Sequence, residues 1–565
     1  MLTTEGTYPY NRGGVGIWCD TLVQRMEGVR YHVFAVVANP FVPIRFRMPK
    51  QLAFHSVPLW GTEEPTEHLD MPFAEVYEKK LRTTAAVVRQ EFLPLFDRVL
   101  TQLWLPEPEG EGFSQAIWEM HRFFQRYDYM IALKSEDVWD HFKLSAIRRG
   151  HLGLGPKPSI LDLLHGLGWI YRFLTVLTSP VPRMDVSHSS AAAFCALPAV
   201  IAKLEYGTPM LLTEHGVYLR EQYLSIGKSD LSPFGKSFLL GLVGSVTRSA
   251  LWAADQVSPV AAYNFRWESR LGVPDQRLQV IYNGVDPVVF KPRPRPEGAP
   301  LTVVSVARVD PIKDLETLMR AAAVVTRRHP DVRFVVYGGI SVPTYYEKLL
   351  KVRAELKLEE KFIFAGHVDS PAAAYQSGDI VALSSISEGF PYAVVEAMMS
   401  GRPVVATDVG GTSEALNGLG VLVPPGRPES MAEGILQLLD DPTLRRQLAE
   451  EAYERALTHF TVSRQVELYR KSYDKLARRI EWVTVMPSLL GLHLERAEAL
   501  LLLGDAEGAM AQLAAVLTMN PGGSAAPLVL LRMARVHLEQ GRLEEAWLAS
   551  ERAEALALIV DQTAA

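Results

Sequence analysis

From Leu301 onward, short apolar runs rich in β-branched residues alternate with segments of helical character, and few architectures accept that pattern. The runs are LTVVSVA (301–307), VRFVVY (332–337), KFIFA (361–365), DIVAL (379–383), PVVA (403–406) and LGVLV (419–423). Runs that are apolar throughout fit strands buried on both faces, and interleaved helices connect such strands in parallel. Residues 301 to about 465 therefore read as one doubly wound, Rossmann-like α/β domain. The segment DLETLMRAAAVVTRR from Asp314 suits its place there, with acids in its first turn and arginines in its last, as the helix dipole favours.

The first half reads as a second domain of the same type, over 1–290. DVSH (185–188), PMLLTEHG (209–216), QVSPV (256–260) and LQVIYNG (278–284) look like strands with polar or glycine-rich tips, separated by helical segments such as AAAFCALPAVIAKL. An aromatic-rich, mostly helical stretch from about 59 to 147 breaks the alternation and reads as an insertion. The proline-dense KPRPRPEGAP (291–300) reads as the linker between the two domains. Residues 466–484 read as a returning helix. Beyond them, 485–565 repeat: ERAEALLLLGDAEGAMAQLAAVL and LRMARVHLEQGRLEEAWLASERAEAL align Gly504 with Gly541 and Ala509 with Ala546. The spacing is close to the tetratricopeptide period of about 34 residues. Two such hairpins are fewer than an array needs to stand alone, so they are expected to pack on the body of the chain or on a partner.

Composition narrows the function. Among 565 residues, 58 Lys and Arg against 64 Asp and Glu give a net charge of −6, which leaves no electrostatic footprint for nucleic acid. Two cysteines, Cys19 and Cys195, exclude a disulfide scaffold and a structural zinc cluster, and suit a reducing cytoplasm. The N-terminus has no signal-peptide pattern. The apolar stretch Ser237–Thr247 is closed by Lys236 and Arg248, well short of the ~20 residues of a bilayer span. The expectation is a soluble chain, peripheral to a membrane at most.

In doubly wound folds the ligand sits beyond the carboxyl ends of the strands, so the polar residues at those tips are the candidates. Arg308 and Lys313 follow the first strand of the second domain and precede a helix, which suits a diphosphate; the plain alternative is a pair of solvated loop cations. After 379–383, Glu388 lies in a loop, Gly389, Phe390 and Pro391 turn into a helix, and Glu396 falls about two turns along. The two carboxylates could accept from sugar hydroxyls. Singly, a capping acid and a surface acid explain them as well.

Glu388 and Glu396 within S-E-G-F-P…V-E-A-M…G-x-P-V-V-A-T-D-V-G-G, the Arg308…Lys313 pair and VIYNGVDPVVFKP (280–292) together resemble the retaining glycosyltransferases of family four, which have the GT-B fold. TEGTYPYNRGGVGIW (4–18) and TEHGVYLRE (213–221) are similar to the Pel exopolysaccharide branch of that family. The resemblance covers about 1–480 and implies these roles. Arg308 and Lys313 bind the nucleotide diphosphate, Glu396 the ribose, and Glu388 with the backbone of Gly389, Phe390 and Pro391 the donor sugar. Gly13 and Gly14 bring amides to the phosphates, and His215 stands near the reacting carbon; a buried structural role for His215 is the alternative. The first strand departs from the family pattern, with only Met1, Leu2 and Thr3 before Thr4.

The expected activity is retaining transfer of a sugar from a nucleotide donor, with uridine as its base, to a growing exopolysaccharide or glycan acceptor. No Asp-x-Asp occurs in the chain, so the transfer is expected to need no metal, and no cofactor beyond the donor substrate. A nucleotide-sugar epimerase and a non-catalytic scaffold of a polysaccharide secretion complex remain as rivals. The C-terminal repeats are the expected contact with membrane-bound synthase or secretion proteins.

Overall fold

The computed structural model describes residues 1–50, 52–62, 66–69, 71–484, 497, 500–501, 505–519 and 526–564. Two compact units appear, Met1–Leu476 and Ala477–Ala565.

The first unit holds two parallel sheets. In the first, β1 (Leu2–Glu5), β2 (His32–Val37), β3 (Ala53–Pro58), β4 (Ser187–Ser189), β5 (Met210–Glu214) and β6 (Gln256–Pro259) take the order β3-β2-β1-β4-β5-β6. In the second, β7 (Thr302–Val306), β8 (Arg333–Tyr337), β9 (Phe362–Gly366), β10 (Ile380–Leu383), β11 (Val404–Thr407) and β12 (Val421–Val423) take the order β12-β11-β10-β7-β8-β9. Each sheet therefore reverses its winding beside its first strand, between β1 and β4 and between β7 and β10. The short β1 is central all the same: Leu2, Thr3 and Thr4 are fully buried between β2 and β4.

Three sequence expectations need correction. LQVIYNG lies beside β6 without forming a full strand: it makes one bridge, Val257 to Leu278, and the Gln279 and Ile281 N–H groups donate to the Val257 and Pro259 carbonyls, before the Gly284 N–H donates to Gln465 Oε1 at 2.8 Å. The helical block between β3 and β4 does not end near 147. Helices Glu136–His151 and Ile160–Phe173 carry it on, and the glycine- and proline-rich turn between them is a bend inside it. One stretch, Ile160–Thr178, is also long and apolar enough for a membrane span, at mean hydropathy 1.3. It is nonetheless 44% buried in the fold, with Leu163, Gly166 and Ile170 turned inward.

Helix Pro233–Ala253 contains the apolar run Ser237–Thr247, and Phe238, Leu242, Val246 and Ala250 bury it in the first domain's core. It packs closely on the inserted helices. A Cβ at Gly241 would stand 2.3 Å from the Leu103 carbonyl oxygen, so only glycine fits that crossing.

The chain passes between the two domains twice, and the two passages are bonded. The Val285 N–H donates to the Phe460 carbonyl at 2.8 Å, and the Val462 N–H donates to the Val285 carbonyl at 3.1 Å. The proline-rich segment is tied to the second domain, where Arg402 donates to the Arg293 carbonyl at 2.6 Å and Arg295 pairs with Asp379. Helix Val462–Thr484 then returns to the first domain: the Tyr473 hydroxyl lies 2.7 Å from His188 Nδ1 and the Tyr469 hydroxyl 3.0 Å from Thr213 Oγ1.

The second unit contains helices Ala506–Met519, Ala526–Glu539 and Leu543–Ala564. Ala509, Leu513, Val516 and Val529 form a small core there, and Gly541 turns the last two helices at φ +74°. Gly504, half of the predicted glycine match, and the segment 485–496 lie outside the described residues.

Candidate active site

The loops after β7 and β10 meet at the reversal point of the second sheet. After β7, Asp310 accepts from the Ile312 N–H at 3.1 Å, which sets the turn Pro311–Lys313. Asp314, in the left-handed region at φ +42°, then caps helix Leu315–Arg328 by accepting from the Thr317 N–H. Ser384 Oγ donates to the Lys313 carbonyl and the Ile386 N–H to the Ile312 carbonyl, both at 2.8 Å, so the two loops move as one.

Lys313 Nζ donates to Glu388 Oε1 at 2.6 Å, and Ser385 Oγ donates to the same oxygen at 2.6 Å. Glu396 projects from helix Tyr392–Met399, whose start at Pro391 has no side-chain cap. The Tyr375 hydroxyl donates to its Oε2 at 2.8 Å, and burial pushes its carboxyl up to about 7 against that bond. Arg308 stays exposed, donating to Ser341 Oγ at 3.3 Å. Phe390 faces away from the loop surface. Its ring packs on Tyr282 and Phe460 at 5.0 and 5.3 Å, so only its backbone is available to a ligand.

The first domain closes on these loops. At Gly389, an added Cβ would stand 1.9 Å from the His215 carbonyl oxygen; at Gly14, it would touch the Tyr392 ring at 3.3 Å. Gly13 and Gly14 begin helix Gly14–Arg25, which has no side-chain cap and no acid in its first turn, as an anion site requires. His215 follows β5 and lies edge-on to Trp18 at 4.7 Å. Burial drives its imidazole down to about 3, so it is neutral at physiological pH, and its Nε2 is buried with no hydrogen-bond partner among the described residues.

The two domains thus meet at Gly389 with His215 and at Gly14 with Tyr392, Lys313 is paired with Glu388, Glu396 lies on the helix that starts at Pro391, and Arg308 is exposed on the loop after β7. Three groups escape the sequence reading. Glu5, at the tip of β1, accepts from the Cys195 N–H at 3.1 Å, and burial pushes its carboxyl up to about 7. Tyr375 orients Glu396 from another helix. Glu414 clasps the domains together, its Oε2 accepting from the Ala262 N–H at 2.8 Å and its Oε1 from the Tyr263 N–H. Only Glu5, in T-E-G at the switch point of the first sheet, left a mark that spacing could have found.

The raised Glu396 carboxyl predicts a pH dependence. If it accepts from the donor, binding requires its ionised form, so the dissociation constant of a nucleotide sugar should fall about tenfold between pH 6 and pH 8. Stability runs the other way. The folded state holds a proton that the unfolded chain releases from about 4.5, so stability is lost as pH rises from there to about 7. Calorimetric titration across this range checks the first effect, and Glu396→Gln should flatten it. A slope that survives in Glu396→Gln removes the carboxylate from the donor contact.

Comparison with known proteins follows the same division. Residues 290–455 match the profile of glycosyl transferases group 1, and residues 1–276 that of a domain of unknown function, DUF3492. A D-inositol 3-phosphate glycosyltransferase of Corynebacterium glutamicum (strain R) is 32% identical over 219 residues, 36% of this chain and 52% of that protein. An alpha-D-kanosaminyltransferase of Streptomyces kanamyceticus is 34% identical over 154 residues, 26% of this chain and 39% of that one. The chain spans about half the length of the curated relatives it matches. Sucrose-phosphate synthase of Thermosynechococcus elongatus superposes with a TM-score of 0.53 at 17% identity, over 84% of this chain and 98% of that one. HepE of Anabaena, in complex with UDP and glucose, does so with a TM-score of 0.51 at 14% identity, over 84% and 99%. At such identities the likeness is one of fold.

Proposed function

We propose that this chain, a GT-B protein whose second domain is a group 1 glycosyltransferase domain, moves a sugar from a uridine-based nucleotide donor to a glycan acceptor, retaining the anomeric configuration. The observation that supports the reading is the Lys313–Glu388 pair beside Gly389, which packs on the His215 backbone, with the Gly14 helix start against Tyr392. The donor diphosphate takes Lys313 from Glu388, freeing that carboxylate to accept from the sugar's hydroxyls. Arg308 and the uncapped helix starts add positive potential where the leaving charge develops, so no metal or resident cofactor is required.

The bond between the anomeric carbon and the β-phosphate oxygen breaks, and its electron pair stays on that oxygen. The acceptor hydroxyl bonds to the same face of the carbon and gives its proton to the departing phosphate oxygen. His215, being neutral, positions a hydroxyl rather than supplying charge. His215→Ala should therefore keep nucleotide affinity while sugar transfer falls at least ~100-fold, measured by binding and turnover on the same preparation. A mutant that unfolds or loses nucleotide affinity makes His215 structural.

The finer assignment is to the Pel exopolysaccharide branch, supported by the two N-terminal motifs around Glu5 and His215. The C-terminal helices form a tetratricopeptide-like pair that docks a membrane-bound synthase or secretion protein from the cytoplasm. Incubation with a panel of nucleotide sugars, with and without EDTA, tests the reading. Nucleotide release from a UDP-sugar that survives chelation is expected. Release from none of them by the folded protein defeats transfer, and activity lost to EDTA and restored by magnesium defeats metal independence.

A further inference from the structure

The bend between helices Glu136–His151 and Ile160–Phe173 carries an apolar tip left open to solvent. Leu152 is 62% exposed and Leu154 58%, and Ile160, Leu161 and Leu164 follow at 64, 57 and 55%. Single exposed leucines are ordinary, but a run this dense is a patch. The bend is open at Gly153, where an added side chain would meet nothing within 4 Å. Leu164 also borders a groove of about 390 Å³, lined with Trp139, Leu167 and Tyr171 and edged by Lys134.

Charge says what covers this tip. Arg148 and Lys157 are exposed beside the leucines, with Arg149 and His151 next to them. Asp162 is the one acid between residues 141 and 172, and its carboxylate is turned to the Ser159 N–H and to the hydroxyls of Ser159 and Ser232. The chain as a whole carries −6, so an anionic surface repels most of it and admits a cationic, apolar projection.

We propose that this tip seats the protein on an anionic phospholipid bilayer. The leucines enter the boundary between headgroups and acyl chains, and Arg148 and Lys157 lie on the acidic headgroups. The contact is independent of which sugar the protein handles.

Co-sedimentation of the full chain with vesicles tests it, using phosphatidylcholine alone and phosphatidylcholine with about one-third phosphatidylglycerol. Binding to the anionic vesicles should be at least about tenfold tighter and should weaken with salt. Leu154→Glu with Leu161→Glu should abolish it, and Leu154→Ser with Leu161→Ser should lower it more than about tenfold. Arg148→Glu and Lys157→Glu should each lower it about fivefold or more. Melting temperature and nucleotide binding should not change in any of them, because all four positions are exposed. Equal binding to both vesicles, no binding to either, or full binding by the leucine variants overturns the proposal. A solution dimer that these variants dissolve, without vesicle binding by the native chain, overturns it in favour of self-association.

Discussion

Lys313→Ala is expected to lower turnover of the nucleotide sugar at least ~100-fold with the fold intact. The size of the effect comes from the bond between Lys313 Nζ and Glu388 Oε1, whose side chains are only 23 and 13% exposed. Removing the cation takes a positive charge from the diphosphate. It also leaves Glu388 as a bare carboxylate beside that diphosphate, with Ser385 as its remaining partner, so a repulsion is added to a lost attraction. Combining Lys313→Ala with Glu388→Gln should therefore recover part of donor binding, a coupling that a double-mutant cycle measures directly. Among the described residues Arg308 makes an exposed contact to Ser341, and its loss should cost about tenfold. Unchanged turnover in Lys313→Ala removes the pair from the site.

Gly389→Ala should be as damaging, by a different route. The new Cβ would fall 1.9 Å from the carbonyl oxygen of His215, and both partners are backbone, with no flexible end to give way. The overlap lies between the domains, so the cleft can relieve it by opening and leave each domain folded. Reacting groups would then stand apart by an ångström or more, which costs at least ~100-fold in rate. Gly410→Ala is the contrast: its Cβ would strike the Glu388 carbonyl at 1.8 Å inside one domain, at φ +58°, so that variant should lose thermal stability as well. Turnover and melting temperature of the two variants separate opening from unfolding. Native turnover in Gly389→Ala means the domains do not close in this way during the reaction.

The second domain was easy to read because its central strands are buried and its helices announce themselves. β10 is an unbroken apolar run, β7 is valine-rich and buried along its first four residues, and Asp314 caps a helix with glutamate in its first turn and arginines in its last. Its candidate groups sit at strand tips, where a doubly wound fold must put them. The first domain hid more. Ala53–Pro58 carries His55 and Ser56 and ends in proline, unlike a core strand, yet it pairs along all of β2 at the edge of the sheet. LQVIYNG has strand composition but bonds β6 only through Leu278, Gln279 and Ile281, short of a full strand, and its Gly284 is held by a helix some 180 positions later. The Glu414 clasp and the Tyr375–Glu396 bond join residues whose meeting depends on tertiary packing, and periodicity holds no trace of that.

The doubled crossing at Val285 and Thr461 limits how the protein can breathe. One tether would let the domains swivel and slide; two tethers bonded side by side behave as a door on a single pin, with one rotational degree of freedom. If the proposed transfer takes place between the domains, a single opening rate times the arrival of substrate and the departure of product alike.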